Sequence, residues 1–185
     1  MSKGKLFVVS GASGVGKSTV LKHLMAGRSN LLFSVSATTR DPRPGEVEGV
    51  HYYFISQEKF QEMILQDAFL EYDAHAANYY GTPLDQLEEK LSRGDVILDV
   101  EPAGAKIVKE KRPEAVLIFV MPPSVEELER RLRSRGDTPE DQIALRMERA
   151  KWEMDQRSWY DHVVVNDVLE ECVKQMTEII GHENV

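Results

Sequence analysis

The densest chemical signal lies near the N-terminus, in Gly11-Ala12-Ser13-Gly14-Val15-Gly16-Lys17-Ser18 followed by Thr19. The pattern is G-x-x-x-x-G-K-[ST], and each fixed position has a physical reason. Glycines let the backbone curl so that successive N–H groups face phosphate oxygens, and a helix N-terminus behind them opposes the negative charge. Lys17 supplies a cation for the β- and γ-phosphates, and Ser18 a hydroxyl for a magnesium ion. A chance glycine-rich turn would match in roughly one in 200 chains of this length. The residues from Gly11 to Thr19 are therefore read as an ATP-type phosphate loop, with Mg2+ as the expected cofactor.

Other groups are less specific alone. Arg40 and Arg43 lie in a turn-rich stretch, Thr39-Arg40-Asp41-Pro42-Arg43-Pro44-Gly45, where they could be solvated or could grip an anion. Arg131 and Arg135 sit four apart in a basic run and share a helix face, which is ordinarily a solvated face. Asp99 ends an apolar run, the place where a phosphate-loop protein commonly sets an acid near its metal. The five histidines form no pair at metal-ligand spacing, and lone Cys172 has no partner for a disulfide; zinc chemistry is not expected. Cys172, Trp152 and Trp159 are read as packing residues.

These groups need a frame. Leu6 to Val9 is a buried-strand pattern that breaks at Ser10-Gly11, and helical periodicity follows from Ser18 to Met25. Similar apolar runs recur at Val96–Val100, Ala115–Val120 and His162–Asn166, separated by charged helical segments. That alternation indicates a doubly wound α/β sheet. Thr82-Pro83-x-Asp85, Ser124-x-x-Glu127 and Thr138-Pro139-x-Asp141 each offer a capping hydroxyl with an acid three residues on. They predict helices over 83–93, about 124–135 and 139–157. Between about 34 and 82 the texture turns to short strands around a helix, read as an inserted β-rich lobe.

With 185 residues and 42% hydrophobic residues, one domain is expected. A formal charge of −8 disfavours a general nucleic-acid or membrane-surface binder, so any polyanion must meet a local basic cluster. The N-terminal apolar run is too short for a signal segment or a membrane span. A cytoplasmic location follows as an expectation. Monomer and dimer both stay open.

Several stretches then become specific in combination: Ser34 to Glu46 with Arg40 and Arg43, Gly49 to Phe54 with Tyr52, Phe69-Leu70-Glu71, and Asn78-Tyr79-Tyr80-Gly81-Thr82. From Lys5 to about Ile180 the chain resembles the guanylate kinases, and in their order. The resemblance implies an α/β fold: a doubly wound parallel-sheet P-loop kinase core (about 1–33, 83–124 and 156–185), a small β-rich GMP-binding lobe (about 34–82) and a helical lid (about 125–155). It implies reversible transfer of the ATP γ-phosphoryl group to GMP, with dGMP also open as an acceptor.

The resemblance also distributes roles. Arg40, Arg43, Tyr52 and Tyr80 would surround the GMP phosphate, where guanidinium forks and phenol donors suit a dianion. Glu71 and Glu101 would accept from guanine N1–H and N2–H2, and Ser34 and Thr82 would serve O6. Arg131, Arg135 and Arg146 would come onto the phosphates as the lid closes, and Asn166 would contact adenine. Ser18 would hold Mg2+, with Asp99 as a further acid near it. The family's usual Asp-x-Asp-x-Gln-Gly is here Asp99-Val100-Glu101-Pro102-Ala103-Gly104, so the second guanine carboxylate stands on a longer arm. Two rival readings are another P-loop kinase of small phosphorylated molecules and a non-catalytic phosphopeptide-binding module.

Overall fold

The computed structural model describes residues 3–75, 77–134 and 139–183, with only the backbone of His75 and Asp141. In chain order the elements begin β1 (Leu6–Gly11), α1 (Lys17–Met25), β2 (Leu31–Phe33), β3 (Ala37–Thr38), β4 (Tyr53–Phe54), α2 (Gln57–Leu65), β5 (Phe69–His75) and β6 (Asn78–Pro83). They continue with α3 (Leu84–Leu91), β7 (Asp95–Asp99), α4 (Pro102–Lys111), β8 (Val116–Met121), α5 (Val125–Ser134), α6 (Glu140–Asp155), a short 3-10 helix (Gln156–Trp159), β9 (His162–Val165) and α7 (Leu169–Glu183).

Five strands form a parallel sheet in the order β2-β7-β1-β8-β9. Its strands alternate sides residue by residue, as a pleated backbone must. Leu6 and Val8 of β1, Val96 and Leu98 of β7, and Leu117 and Phe119 of β8 face a core shared with α3, α4, α5 and α6. Phe7, Val9, Ile97, Ile118 and Val120 face the opposite core, closed by Val20, Leu21 and Leu24 of α1 and Cys172, Met176 and Ile180 of α7. Both faces are covered, so the strands read as continuous apolar runs.

A second, mixed sheet has the order β4-β3-β6-β5. Its core is aromatic. Phe60 of α2 is fully buried and stacks on Phe69 at 4.4 Å and on Tyr79 at 5.3 Å between ring centroids. Gly81 of β6 is required here, because a Cβ would lie 3.1 Å from the Phe60 ring and 3.0 Å from Phe69.

The expected strands and helices are present, with local differences. β2, β3 and β6 lack a strand signature in sequence: two are very short, and Asn78-Tyr79-Tyr80-Gly81-Thr82-Pro83 carries glycine and proline. Pairing with neighbours makes them strands. Thr82 is not the cap of α3, since it lies within β6 and Pro83 takes the cap position without a side-chain cap hydrogen bond. Ser124 does cap α5, accepting from Glu127 N–H at 3.1 Å. Thr138 lies outside the described residues. Trp152 is 54% exposed, which corrects its reading as a packing residue, whereas Trp159 packs on Tyr160 at 4.4 Å.

Phe60→Ala should destabilise the second sheet by about 3–5 kcal/mol, the range for removing a buried aromatic ring. Denaturant melts that retain the parent midpoint would show that the stack does not hold this lobe.

Candidate active site

The connection after β1 runs to α1, whose buried face belongs to one core, and the connection after β7 runs to α4 on the other. β1 and β7 are neighbours. Their outgoing chains part at the carboxyl ends of the strands and leave a crevice, the usual ligand position in a sheet of this kind. Two cavities occupy it. One, of about 360 Å3, lies between the second sheet and the strand ends. The other, of about 200 Å3, follows Gly11 to Thr19. Lys17 and Glu101 line both.

The phosphate loop is shaped by left-handed residues, Gly14 at φ 89° and Gly16 at φ 91°. Gly14 is doubly constrained, because a Cβ would come within 2.6 Å of the Leu132 side chain on α5. The helix behind the loop has no side-chain cap, which leaves its start open to an anion. Three side chains from distant parts of the chain brace the loop. The buried Glu153 accepts from Ser13 N–H at 2.9 Å, the Asn166 amide donates to the Val15 carbonyl at 2.8 Å, and Arg131 donates to the carbonyls of Val15 at 3.3 Å and Asn166 at 2.9 Å. Lys17 forms an ion pair with Asp99.

On the other side, the Arg40 guanidinium donates twice to Glu46, at 2.7 and 2.6 Å, and lies over the Tyr52 ring at 5.0 Å. Glu46 also accepts from Arg43 N–H at 2.7 Å. These donors hold its carboxyl down to about 2, led by the Arg40 hydrogen bond. Tyr52 and Tyr80 meet edge to face at 6.0 Å. Arg40, Arg43, Tyr52 and Tyr80 line the larger cavity with Lys17 and Asp99.

Glu71 provides a different wall. It is buried, and burial pushes its carboxyl above the ordinary value, opposed by a hydrogen bond from Thr82. That bond runs from Thr82 Oγ1 to Glu71 Oε1 at 2.5 Å. Glu71 Oε2 lies where α4 passes, so that a Cβ on Gly104 would stand 3.1 Å from it. A carboxylate with one oxygen fixed by a hydroxyl and its other atoms facing a polar cavity is built to accept hydrogen bonds from a planar donor edge.

The residues singled out from sequence occupy distinct places in the fold. Lys17, Arg40, Arg43, Tyr52, Glu71, Tyr80, Asp99 and Glu101 line the larger cavity, and Gly11, Ala12, Ser13, Gly14, Val15, Gly16, Ser18 and Thr19 line the smaller. Ser34 and Thr82 are buried behind the wall, and Ser36 lines the cavity instead. Successive residues of an extended chain alternate sides, so positions 34 and 36 lie within reach of similar arguments in sequence while only geometry separates them. Asn166 and Arg131 engage the loop backbone, Arg146 is half-buried on α6, and Arg135 lies outside the described residues. Glu46, Glu153, Arg149 and Ser36 were not anticipated. The one available signal was the four-residue spacing of Arg149 and Glu153.

Comparison with known proteins gives a consistent result. The family model described as guanylate kinase matches residues 3–183. The guanylate kinase of Thermus thermophilus is 50% identical over 182 residues, covering 98% of this chain and 82% of that protein. The guanylate kinase of Carboxydothermus hydrogenoformans is 46% identical over 186 residues, covering 100% of this chain and 91% of its own. Among solved structures, guanylate kinase from Anaplasma phagocytophilum superposes with a TM-score of 0.78 at 33% identity, covering 98% of this chain and 87% of that one.

The raised Glu71 pKa gives a testable sign. A carboxyl whose folded pKa exceeds its unfolded value favours the protonated fold, so its contribution is complete below the ordinary value of 4.5 and is lost as pH rises through the raised pKa. Denaturation of the ligand-free protein should therefore show Glu71→Gln gaining stability relative to the parent across that rise. A difference that does not change with pH would mean that the carboxyl ionises as if in water.

Proposed function

The chain belongs to the guanylate kinase family and is an ATP:GMP phosphotransferase, and from that premise we propose how its cleft divides the two substrates. ATP lays its phosphates along Gly11 to Thr19, and GMP enters the larger cavity with its phosphate toward Arg40, Arg43, Tyr52 and Tyr80. The observation that supports this reading best is that the two cavities meet at Lys17, which is paired with Asp99, and at Glu101. The chemistry needs that junction, because the acceptor phosphate oxygen and the γ-phosphorus must lie in line.

Guanine selection follows from donors and acceptors. Glu71, held by Thr82, accepts from N1–H and the 2-amino group, with Glu101 as the second acceptor. Ser36, rather than Ser34, presents a hydroxyl to O6. Asn166 supports the loop through Val15 and borders the adenine side. The region of about 34–82 acts as the acceptor lobe and about 125–155 as the lid, hinged on a core of about 1–33, 83–124 and 156–185.

The attacking phosphate oxygen is already ionised at neutral pH, so no general base is required. Catalysis rests on alignment and charge neutralisation. Lys17 follows the charge that develops between the β- and γ-phosphates, and Arg131, Arg135 and Arg146 gather around the transferring group as the lid closes. Closure also keeps water from competing with GMP. The oxygen donors Ser18 and Asp99 suit magnesium, which would neutralise phosphate charge and hold the triphosphate in register. No helix among the described residues is long and apolar enough to cross a membrane, and the reaction is proposed to run in the cytoplasm.

An ADP-release assay with GMP, dGMP, AMP, CMP, UMP and a sugar phosphate tests the reading. AMP would set an unprotonated ring nitrogen against Glu71, and sites built to hydrogen-bond a group reject analogues lacking it by about 10⁴-fold. GMP should therefore dominate, Lys17→Met should abolish transfer in a folded protein, and Arg43→Ala should weaken GMP by about 1.5–3 kcal/mol with ATP little changed. Comparable turnover of AMP, or full activity of Lys17→Met, would overturn the assignment.

A further inference from the structure

A single side chain of α6 ties the two cavities together. Arg149 Nη2 donates to Glu101 Oε2 at 2.6 Å, and Arg149 Nε donates to Glu153 Oε1 at 3.1 Å. Glu153 in turn accepts from Ser13 N–H through its other oxygen. The guanidinium is thus fastened at one end to a buried carboxylate that is itself fastened to the phosphate-loop backbone. Its remaining fork stands at a set position beside the first turn of α4. Burial works against the charge of Arg149, but Glu101 and Glu153 outweigh it and hold the pKa above the ordinary value.

Glu101 needs such a partner. It begins α4 without making a side-chain cap hydrogen bond, and its side chain is 54% exposed. An unheld glutamate of that exposure would sample many rotamers and lose that freedom only when a ligand arrived. An isolated pair this exposed would ordinarily contribute little. Here one partner is preset by the buried Glu153, so the usual entropy of fixing an arginine is already spent within the fold. Glu101 also stands one helical turn before Gly104, the residue against which Glu71 Oε2 rests. Residues three apart on a helix share a face, so the two carboxylates border the same part of the cavity.

We propose that Arg149 is a positioning residue for guanine selection: braced by Glu153 and the phosphate loop, it holds the Glu101 carboxylate where the 2-amino group of GMP arrives. The proposal rests on the reading that Glu101 accepts from that group. It also explains how the longer arm at position 101 is used, since that arm reaches a lid side chain. Preference for GMP over IMP, which lacks the 2-amino group, then depends on a residue that touches no substrate.

The test compares kcat/KM for GMP and IMP, with ATP saturating, in the parent, Glu101→Ala, Arg149→Met, Arg149→Lys and the Glu101→Ala/Arg149→Met double variant. Glu101→Ala should lower the GMP/IMP ratio about tenfold or more, as expected for a lost hydrogen bond to a charged group. Arg149→Met should reproduce most of that loss through the KM for GMP, Arg149→Lys should restore part of it, and the double variant should fall no further than Glu101→Ala. If Glu101→Ala leaves the ratio unchanged, the reading of Glu101 fails and this proposal with it. If Glu101→Ala lowers the ratio and Arg149→Met or Arg149→Lys does not alter it, the proposal alone fails. Equal loss for GMP and IMP in both Arg149 variants would reduce the residue to a structural tie and would likewise overturn it.

Discussion

Two nucleotides can exchange a phosphoryl group only if their polyanionic ends are held nearly in contact, against a Coulomb repulsion that grows as water is excluded. In a chain of net charge −8 the neutralising cations cannot come from overall charge and must be concentrated. Lys17 stands where the two cavities join, beside Asp99. Around it each of several guanidinium groups is held by an acid: Arg40 by Glu46, Arg131 by Glu127, and Arg149 by Glu101 and Glu153. The acids fix where each cation stands, so the positive charge around Lys17 is preset by the fold.

That arrangement explains demands made far from the chemistry. Lys17 reaches the junction only because β1 ends in a loop whose Gly14 and Gly16 adopt left-handed conformations. The loop keeps its shape because β9 and α6 supply Asn166 and Glu153 from far along the chain. The second sheet, held by the Phe60 stack, carries Glu71 and Tyr80 on adjacent strands and so sets both into one wall of the larger cavity. Leu128 and Leu132 of α5 and Met147 and Met154 of α6 join the main core, so α5 and α6 lie against the phosphate loop, α5 through Leu132 beside Gly14 and α6 through Glu153 on Ser13.

Much of this was legible in the sequence because it is local. The phosphate loop, the buried strands and the Ser124 cap each lie within a few residues, where spacing and residue type carry the physics. Glu71 and the arginines of the turn at 40–43 became readable only through the resemblance to guanylate kinases, since an acid after two apolar residues has no signature of its own. Contacts across long separations were not legible. Glu153 meets Ser13 across 140 positions and Arg149 meets Glu101 across 48; nothing local distinguishes these from solvated helix charges. Ser34 and Ser36 are two apart, so alternation along an extended chain gives both the same side, and only the fold shows Ser34 buried and Ser36 lining the cavity.

In the proposed reaction, donor and acceptor phosphates meet end to end at Lys17, within one continuous cleft. A compound joining adenosine and guanosine through a chain of five phosphates spans both sites at once, and its binding measured by calorimetry with Mg2+ tests that arrangement directly. One molecule should bind per chain, orders of magnitude more tightly than ATP or GMP alone, because the second contact becomes intramolecular, and each nucleotide should displace it competitively. Affinity no greater than that of ATP, or displacement by only one of the two nucleotides, would contradict the account.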